Sequence, residues 1–157
     1  MIKSRRVLCG VYAFIALLAL VATWRQNLAF MTPAQDPIAA PVNGFAQFWL
    51  ATLTNHATTS IMVDLALLVL AAVIWMVIEA RRVGVRFVWA YVVLAMLVAV
   101  SVTFPLFLIA REIRIAALPA ANFGAGHAAL GLKTRDWIGI TVFGVPTVVF
   151  AFWTLVF

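Results

Sequence analysis

Polar side chains recur along one face of the second apolar segment of this sequence. His56, Ser60 and Asp64 follow one another at intervals of four residues, and Asn55 precedes them. Positions four residues apart lie on the same face of a helix. An aspartate inside an apolar run can accept hydrogen bonds, contact a ligand or exchange a proton. The spacing therefore predicts a polar site on one helix face, centred on Asp64.

The third apolar segment adds two further polar residues. Ser101 and Thr103 precede Pro105, which cannot donate a backbone hydrogen bond to the carbonyl of Ser101. If the two segments are antiparallel helices, Thr103 lies at the depth of Asp64. We therefore predict a ligand-binding or structural polar pocket in the outer third of a membrane, lined by Asn55, His56, Ser60, Asp64, Ser101 and Thr103. A structural hydrogen bond, contact with a ligand and a proton relay all fit this pattern.

Charged pairs occur where the apolar segments end. Glu79 and Arg82 are three residues apart, a spacing that brings side chains together on a helix, and Arg111 directly precedes Glu112. We predict that both are interfacial ion pairs. Because these acids lie at helix ends and do not converge in one pocket, no catalytic residue is assigned.

The sequence gives no sign of a metal site. It contains two histidines, His56 and His127, and one cysteine, Cys9. Their spacing matches no metal-binding pattern, and a fold of the outer loop over Asp64 would be needed to bring the histidines together. We predict no metal and no cofactor, and we interpret Cys9 as a buried thiol inside an apolar run.

The composition is that of a membrane protein. Of the 157 residues, 66% are hydrophobic and 10% are charged, whereas soluble domains average about 45–50% apolar and about 25% charged residues. The net charge of +6 comes from basic residues at the ends of apolar segments, which is typical of contact with lipid headgroups. The predicted partner is thus the lipid bilayer and not nucleic acid.

Four apolar segments are long enough to cross a bilayer. They predict an all-α fold, an integral membrane four-helix bundle that forms a single membrane domain of residues 1–157. An amphipathic interfacial helix is predicted before the second span, because Asn43 can cap it and Phe45, Phe48, Trp49, Thr52 and Leu53 share one face. The spans are at about residues 7–24, 57–80, 87–110 and 137–157, with outward loops at 25–56 and 111–136.

Four spans place both ends of the chain on one side of the membrane. Six basic residues fall on that side and five on the other. The first helix and the short loop around Arg86 carry most weight in setting orientation, so we predict the cell (inner) membrane with both termini in the cytoplasm. The first group is Lys3, Arg5, Arg6, Arg81, Arg82 and Arg86, and the second is Arg25, Arg111, Arg114, Lys133 and Arg135.

An ordered set of motifs between about residues 48 and 112 resembles a known family, the small bacterial integral membrane proteins grouped as domain of unknown function 2834. The set is Asn55 nine residues before Asp64, then Trp75, Glu79-Ala-Arg81-Arg82-Val-Gly84, Trp89-x-Tyr91, and Phe104-Pro105-Leu106-Phe107-Leu108 leading to Arg111-Glu112. His56 stands where that family commonly has proline, and this chain adds a loop and a fourth span. The resemblance implies a membrane protein with no assigned reaction, cofactor or catalytic residue.

Three classes of function fit the sequence. The first is an accessory subunit or small binding module that contacts other membrane subunits or itself, and the absence of a catalytic motif favours it. The second is a transporter or channel component, which would have to be an oligomer and would use Asp64 as a titratable site. The third is a membrane enzyme acting on a lipid or isoprenoid, which would need two acid/base groups in one pocket.

Overall fold

The computed structural model of the protein describes residues 3–31, 40–117 and 133–156. These residues form α-helices and no strands, so the predicted all-α fold is confirmed. Three of the helices are long and apolar enough to cross a membrane, α1, α3 and α6. In chain order the helices are α1 Lys3–Met31, α2 Ala40–Ala51, α3 His56–Val83, α4 Val88–Leu97, α5 Val100–Ala117 and α6 Thr134–Val156.

Helix α3 has a capped start and a capped end. The side chain of Asn55 accepts hydrogen bonds from the backbone N–H groups of Ala57 and Thr58, both at 3.0 Å, and so satisfies two donors that a helix start leaves free. Gly84 ends the helix in the left-handed conformation, with φ of 76°. A side chain there would be strained and would also press on the guanidinium of Arg114.

The predicted third span, residues 87–110, is not one helix. It is divided into α4 and α5, which pack against each other as a hairpin. At the turn, the N–H of Val98 bonds to the carbonyl of Leu94 at 2.8 Å, and the N–H of Thr103 bonds to the carbonyl of Ala99 at 3.1 Å. Residues 98–103 are mostly β-branched or serine, types with low helix propensity, so a break here costs little. The chain therefore reverses direction within this segment.

The residues that pack near the turn show how far the hairpin extends along α3. Met96 and Val100, on either side of the turn, pack against the buried cluster of Val69, Val73 and Val92. Val69 and Val73 are close to the middle of α3. The hairpin thus covers about half of this helix, and the half that begins at His56 extends beyond the turn.

The bundle is built from four units: α1, α3, α6 and the hairpin of α4 and α5. Helix α1 packs on α5, and α6 packs on α3. The largest buried cluster lies between α3 and the hairpin, toward the C-terminal end of α3. Its buried members are Met76, Val77, Ala80, Val83, Val85, Val88, Phe107 and Ile115.

Several helix boundaries differ from the predicted spans. Helix α1 continues to Met31, α5 continues to Ala117, and α6 begins at Thr134, so the connections are shorter than predicted. The helix predicted before the second span is present as α2, but Thr52 and Leu53 follow it in a turn. The remaining parts of the predicted loops, residues 32–39 and 118–132 with His127, lie outside the described residues.

Candidate functional site

Five charged residues from α1, α3 and α5 meet at the C-terminal end of α3. Glu79, which is 4% exposed, accepts hydrogen bonds from Arg82 at 2.6 and 2.7 Å and from Arg111 at 2.6 Å. Arg111 also donates to Glu112 at 2.6 Å, and Arg5 donates to Glu112 at 3.3 Å. We call these residues the ionic cluster: Arg5, Glu79, Arg82, Arg111 and Glu112.

Arg111 is the central member of the ionic cluster. Its planar guanidinium bridges the carboxylates of Glu79 and Glu112, an arrangement for which arginine is better suited than lysine. The guanidinium carbon also lies 6.0 Å from the centre of the Trp75 ring, within the range of a cation–π contact. Because the ring and both carboxylates fix Arg111, the returning end of the hairpin is held against α3.

The ionic cluster corrects the predicted placement of its members. The contacts Glu79–Arg82 and Arg111–Glu112 are both present, yet Arg111 lies beside Glu79 and not at the opposite end of the bundle. The cause is the hairpin, which turns at Val98 and brings α5 back to its starting level. A continuous span would have carried Arg111 away from Glu79.

A second buried carboxylate joins α6 to α3 and α4. Asp136 is fully buried and accepts two hydrogen bonds from Arg81, one of them from Nε at 2.7 Å. The indole N–H of Trp89 donates to it at 3.2 Å, and the backbone N–H of Lys133 donates at 3.0 Å. A methyl group on Gly139 would overlap the Trp89 indole, so glycine permits this close approach. Sequence reasoning missed Asp136, because an acid in a first helical turn is ordinary.

The polar stripe of α3 lies on the side that faces away from the bundle. Val73 is 1% exposed, and Asp64 precedes it by nine residues, about two and a half turns, which places Asp64 on the opposite side of the helix. The side chains of Asp64 and its neighbours on this side are exposed. We call this surface the Asp64 face, formed by His56, Ser60, Asp64, Leu68 and Ala71.

The other residues of the predicted pocket lie apart from the Asp64 face or are already engaged. The Asn55 side chain caps α3, Thr103 is buried and donates to the carbonyl of Ala99 at 3.2 Å, and Ser101 is exposed beside the hairpin turn. Within residues 3–31, 40–117 and 133–156, Asp64 has no ion-pair partner, and no group of histidine, cysteine and acidic side chains could hold a metal ion. Ligand binding by the predicted pocket stays a prediction.

The comparisons with known proteins place the chain in a family. The family described as protein of unknown function DUF2834 matches residues 11–113. The chain belongs to the DUF2834 family. The match extends the resemblance of residues 48–112 back into α1, and it includes Asp64, Glu79 and Arg111. No curated protein and no solved structure matches the chain.

The basic residues of this DUF2834 protein are concentrated at one end of the bundle, near the ionic cluster and Asp136. Arg5, Arg81, Arg111 and the backbone of Lys133 all take part in the contacts at the ionic cluster or at Asp136. Of the 11 basic residues, all except Arg25 lie on the helix ends that meet there. The members of this basic end are Lys3, Arg5, Arg6, Arg81, Arg82, Arg86, Arg111, Arg114, Lys133 and Arg135.

Proposed function

We propose that this DUF2834 protein is an integral protein of the cell (inner) membrane that acts as a non-enzymatic accessory subunit, binding a transmembrane helix of another subunit through the Asp64 face. The observation that carries the proposal is the position of Asp64, which is exposed on an apolar helix long enough to span a bilayer. Ionisable residues within membrane helices normally face protein or water and not lipid. A helix of a partner subunit would provide that protein contact.

The energetics suit a subunit that inserts first and assembles afterwards. An aspartate at the centre of a membrane helix costs about 2.5–3.5 kcal/mol on insertion scales, and each leucine, isoleucine, valine or phenylalanine returns about 0.3–0.6 kcal/mol. The apolar residues of α3 offset the cost of Asp64, so the helix can insert alone. A hydrogen bond from a neighbouring helix then adds about 1–2 kcal/mol, which favours lateral association.

A photo-crosslinking amino acid at Leu68 is expected to react with a discrete polypeptide in native membranes. Leu68 is 63% exposed and lies one turn from Asp64. The matched control is the same probe at Val142, which is 68% exposed and belongs to a different helix, α6, and it should react with lipid. Asp64→Leu should remove the Leu68 adduct. A Leu68 probe that labels only lipid, with or without Asp64, would contradict the proposal.

The basic end supports an orientation of the chain in the membrane. In membrane proteins, basic residues accumulate on the cytoplasmic side. Ten of the 11 basic residues of this chain lie at the basic end, and the other is Arg25. We therefore place the start of α1, the ionic cluster and the start of α6 in the cytoplasm. With three crossings by α1, α3 and α6, the end of α6 lies outside, which differs from the expectation that both termini are cytoplasmic.

Cysteine labelling tests this orientation and the hairpin together. In a Cys9→Ala background, Arg86→Cys and Arg114→Cys should both react with a membrane-impermeant maleimide only from the cytoplasmic side, because α4 and α5 enter and leave the membrane on the same side. Arg25→Cys, the control, should react only from the outside. Labelling of Arg86→Cys and Arg114→Cys from opposite sides would instead indicate a continuous third span.

The hairpin supports transport as a second candidate function. Chain breaks at membrane depth are tolerated where they are covered by protein or line a water-filled path, as in channels and transporters. The turn at Val98 and Ala99 and the exposed hydroxyl of Ser101 lie near the level of the middle of α3. Passage of protons through vesicles that contain the protein, abolished by Asp64→Asn while the Leu68 adduct persists, would favour this function over a purely accessory role.

A further inference from the structure

Two exposed residues of opposite charge, Asp64 and Arg25, lie outside the basic end. Among the described residues, Glu79, Glu112 and Asp136 are buried and ion-paired, whereas Asp64 is exposed and unpaired. Arg25 is the basic residue outside the basic end, and it too is exposed. Within residues 3–31, 40–117 and 133–156, neither Asp64 nor Arg25 forms an ion pair.

Arg25 and Asp64 point away from the bundle on different flanks. Helices α1 and α3 both pack on α5. In α1, Ala16 is buried, at 5% exposed, and Arg25 follows it by nine residues, about two and a half turns, on the opposite side of the helix. Asp64 has the same relation to the buried Val73 of α3. The two charges of one chain therefore cannot meet, but the two flanks of neighbouring chains can.

The depths of the two charges along the bundle match within the reach of an arginine. The ionic cluster sets a common level for both helices, because it joins Arg5 of α1 and Glu79 of α3 through Glu112 and Arg111. At 1.5 Å per residue, Arg25 is about 30 Å from that level and Asp64 about 22 Å from it. The remaining gap of about 8 Å is one that an arginine side chain can close when its long apolar stem is extended along the helix toward the carboxylate.

We propose that a second copy of this chain covers the Asp64 face, with Arg25 of one copy paired to Asp64 of the next. This proposal rests on the proposed function, for which it identifies the partner. The contact joins two different surfaces, α1 of one chain and α3 of its neighbour, so it is heterologous and repeats from each copy to the next. Exposed apolar residues flank both charges and pack between the helices: Phe14, Leu18 and Val21 on α1, and Ile61 and Leu68 on α3.

Disulfide crosslinking in native membranes tests the contact. In a Cys9→Ala background, a chain carrying both Leu18→Cys and Leu68→Cys should form a ladder of crosslinked oligomers, since Leu18 lies two turns from Arg25 and Leu68 one turn from Asp64. Chains carrying either substitution alone should stay uncrosslinked, because a head-to-tail contact never joins identical positions. Dimers formed by Leu68→Cys alone would overturn the proposal in favour of a two-fold contact between Asp64 faces.

Charge reversal separates this proposal from the proposed function. Arg25→Asp or Asp64→Arg alone should reduce the ladder about tenfold, the loss expected for one membrane-embedded polar contact, and the chain with both reversals should recover it. Arginine and aspartate have similar insertion costs, so each variant should reach the membrane in equal amount. If Asp64→Arg removes the Leu68 photo-adduct while Arg25→Asp changes nothing, a different subunit is the partner and only the self-association is overturned. If neither reversal alters either readout, the proposed function is overturned as well.

Discussion

Replacement of Glu79 by glutamine is expected to destabilise the protein by about 3–5 kcal/mol, the cost of removing one partner from a buried ion pair. The Glu79 side chain is 6% exposed and accepts hydrogen bonds from two guanidinium groups. Without its charge, Arg111 keeps Glu112, but Arg82 loses its acidic partner and the end of the hairpin is held less firmly against α3. Titration of detergent-solubilised protein with a denaturing detergent, followed by tryptophan fluorescence, measures the change.

Arg82, the more exposed partner of Glu79, provides the control for the Glu79→Gln experiment. The Arg82 side chain is 46% exposed, so Arg82→Gln should cost about 1 kcal/mol or less, and it leaves Glu79 bound to Arg111. Arg111→Gln should cost as much as Glu79→Gln, and the double variant should cost less than the sum of the two, since both act on one pair. Equal small losses for Glu79→Gln and Arg82→Gln would mean that the ionic cluster does not hold the hairpin.

The sequence identified residues that are close in the chain far better than residues that are close in space. Glu79–Arg82 and Arg111–Glu112 follow from spacings of three and one residues, and both contacts are present. The contact between Arg111 and Glu79 spans 32 residues, and the contact between Arg81 and Asp136 spans 55. Such pairs depend on how the helices are arranged, and local spacing carries no information on that arrangement.

The hairpin could not be predicted from the sequence, for a related reason. Residues 87–110 are apolar along their whole length, so composition fits one long crossing as well as two shorter helices. Pro105 was the expected point of disruption, yet it lies inside α5, and the chain turns at Val98 and Ala99, where neither glycine nor proline is present. The turn is set by packing against α3 and by the ion pairs of Arg111 and Glu112 near the end of α5.

The position of Asp64 was predictable in part. The interval of four residues correctly places His56, Ser60 and Asp64 on one side of α3. It does not indicate which side packs inward, because a membrane helix is apolar all round and its hydrophobic periodicity is weak. The expected neighbours Ser101 and Thr103 were assigned by assuming a continuous antiparallel span, and the hairpin removes that assumption.

Helix α6 lies beyond residues 11–113 and is joined to the family region by Asp136. We expect Asp136→Asn to weaken this attachment by about 3 kcal/mol or more, because the amide cannot balance the charge of Arg81, whose side chain is 17% exposed. Trp89→Phe removes one neutral donor and should cost about 1 kcal/mol from the lost hydrogen bond, while Arg135→Gln, an exposed neighbour, should cost almost nothing.

Crosslinking between Leu70→Cys and Gly144→Cys in a Cys9→Ala background reports the docking of α6 on α3, since a side chain at Gly144 would lie 3.4 Å from Leu70. Retention of this crosslink by Asp136→Asn at denaturant levels that remove it from Trp89→Phe would contradict the assignment of Asp136 as the anchor of α6.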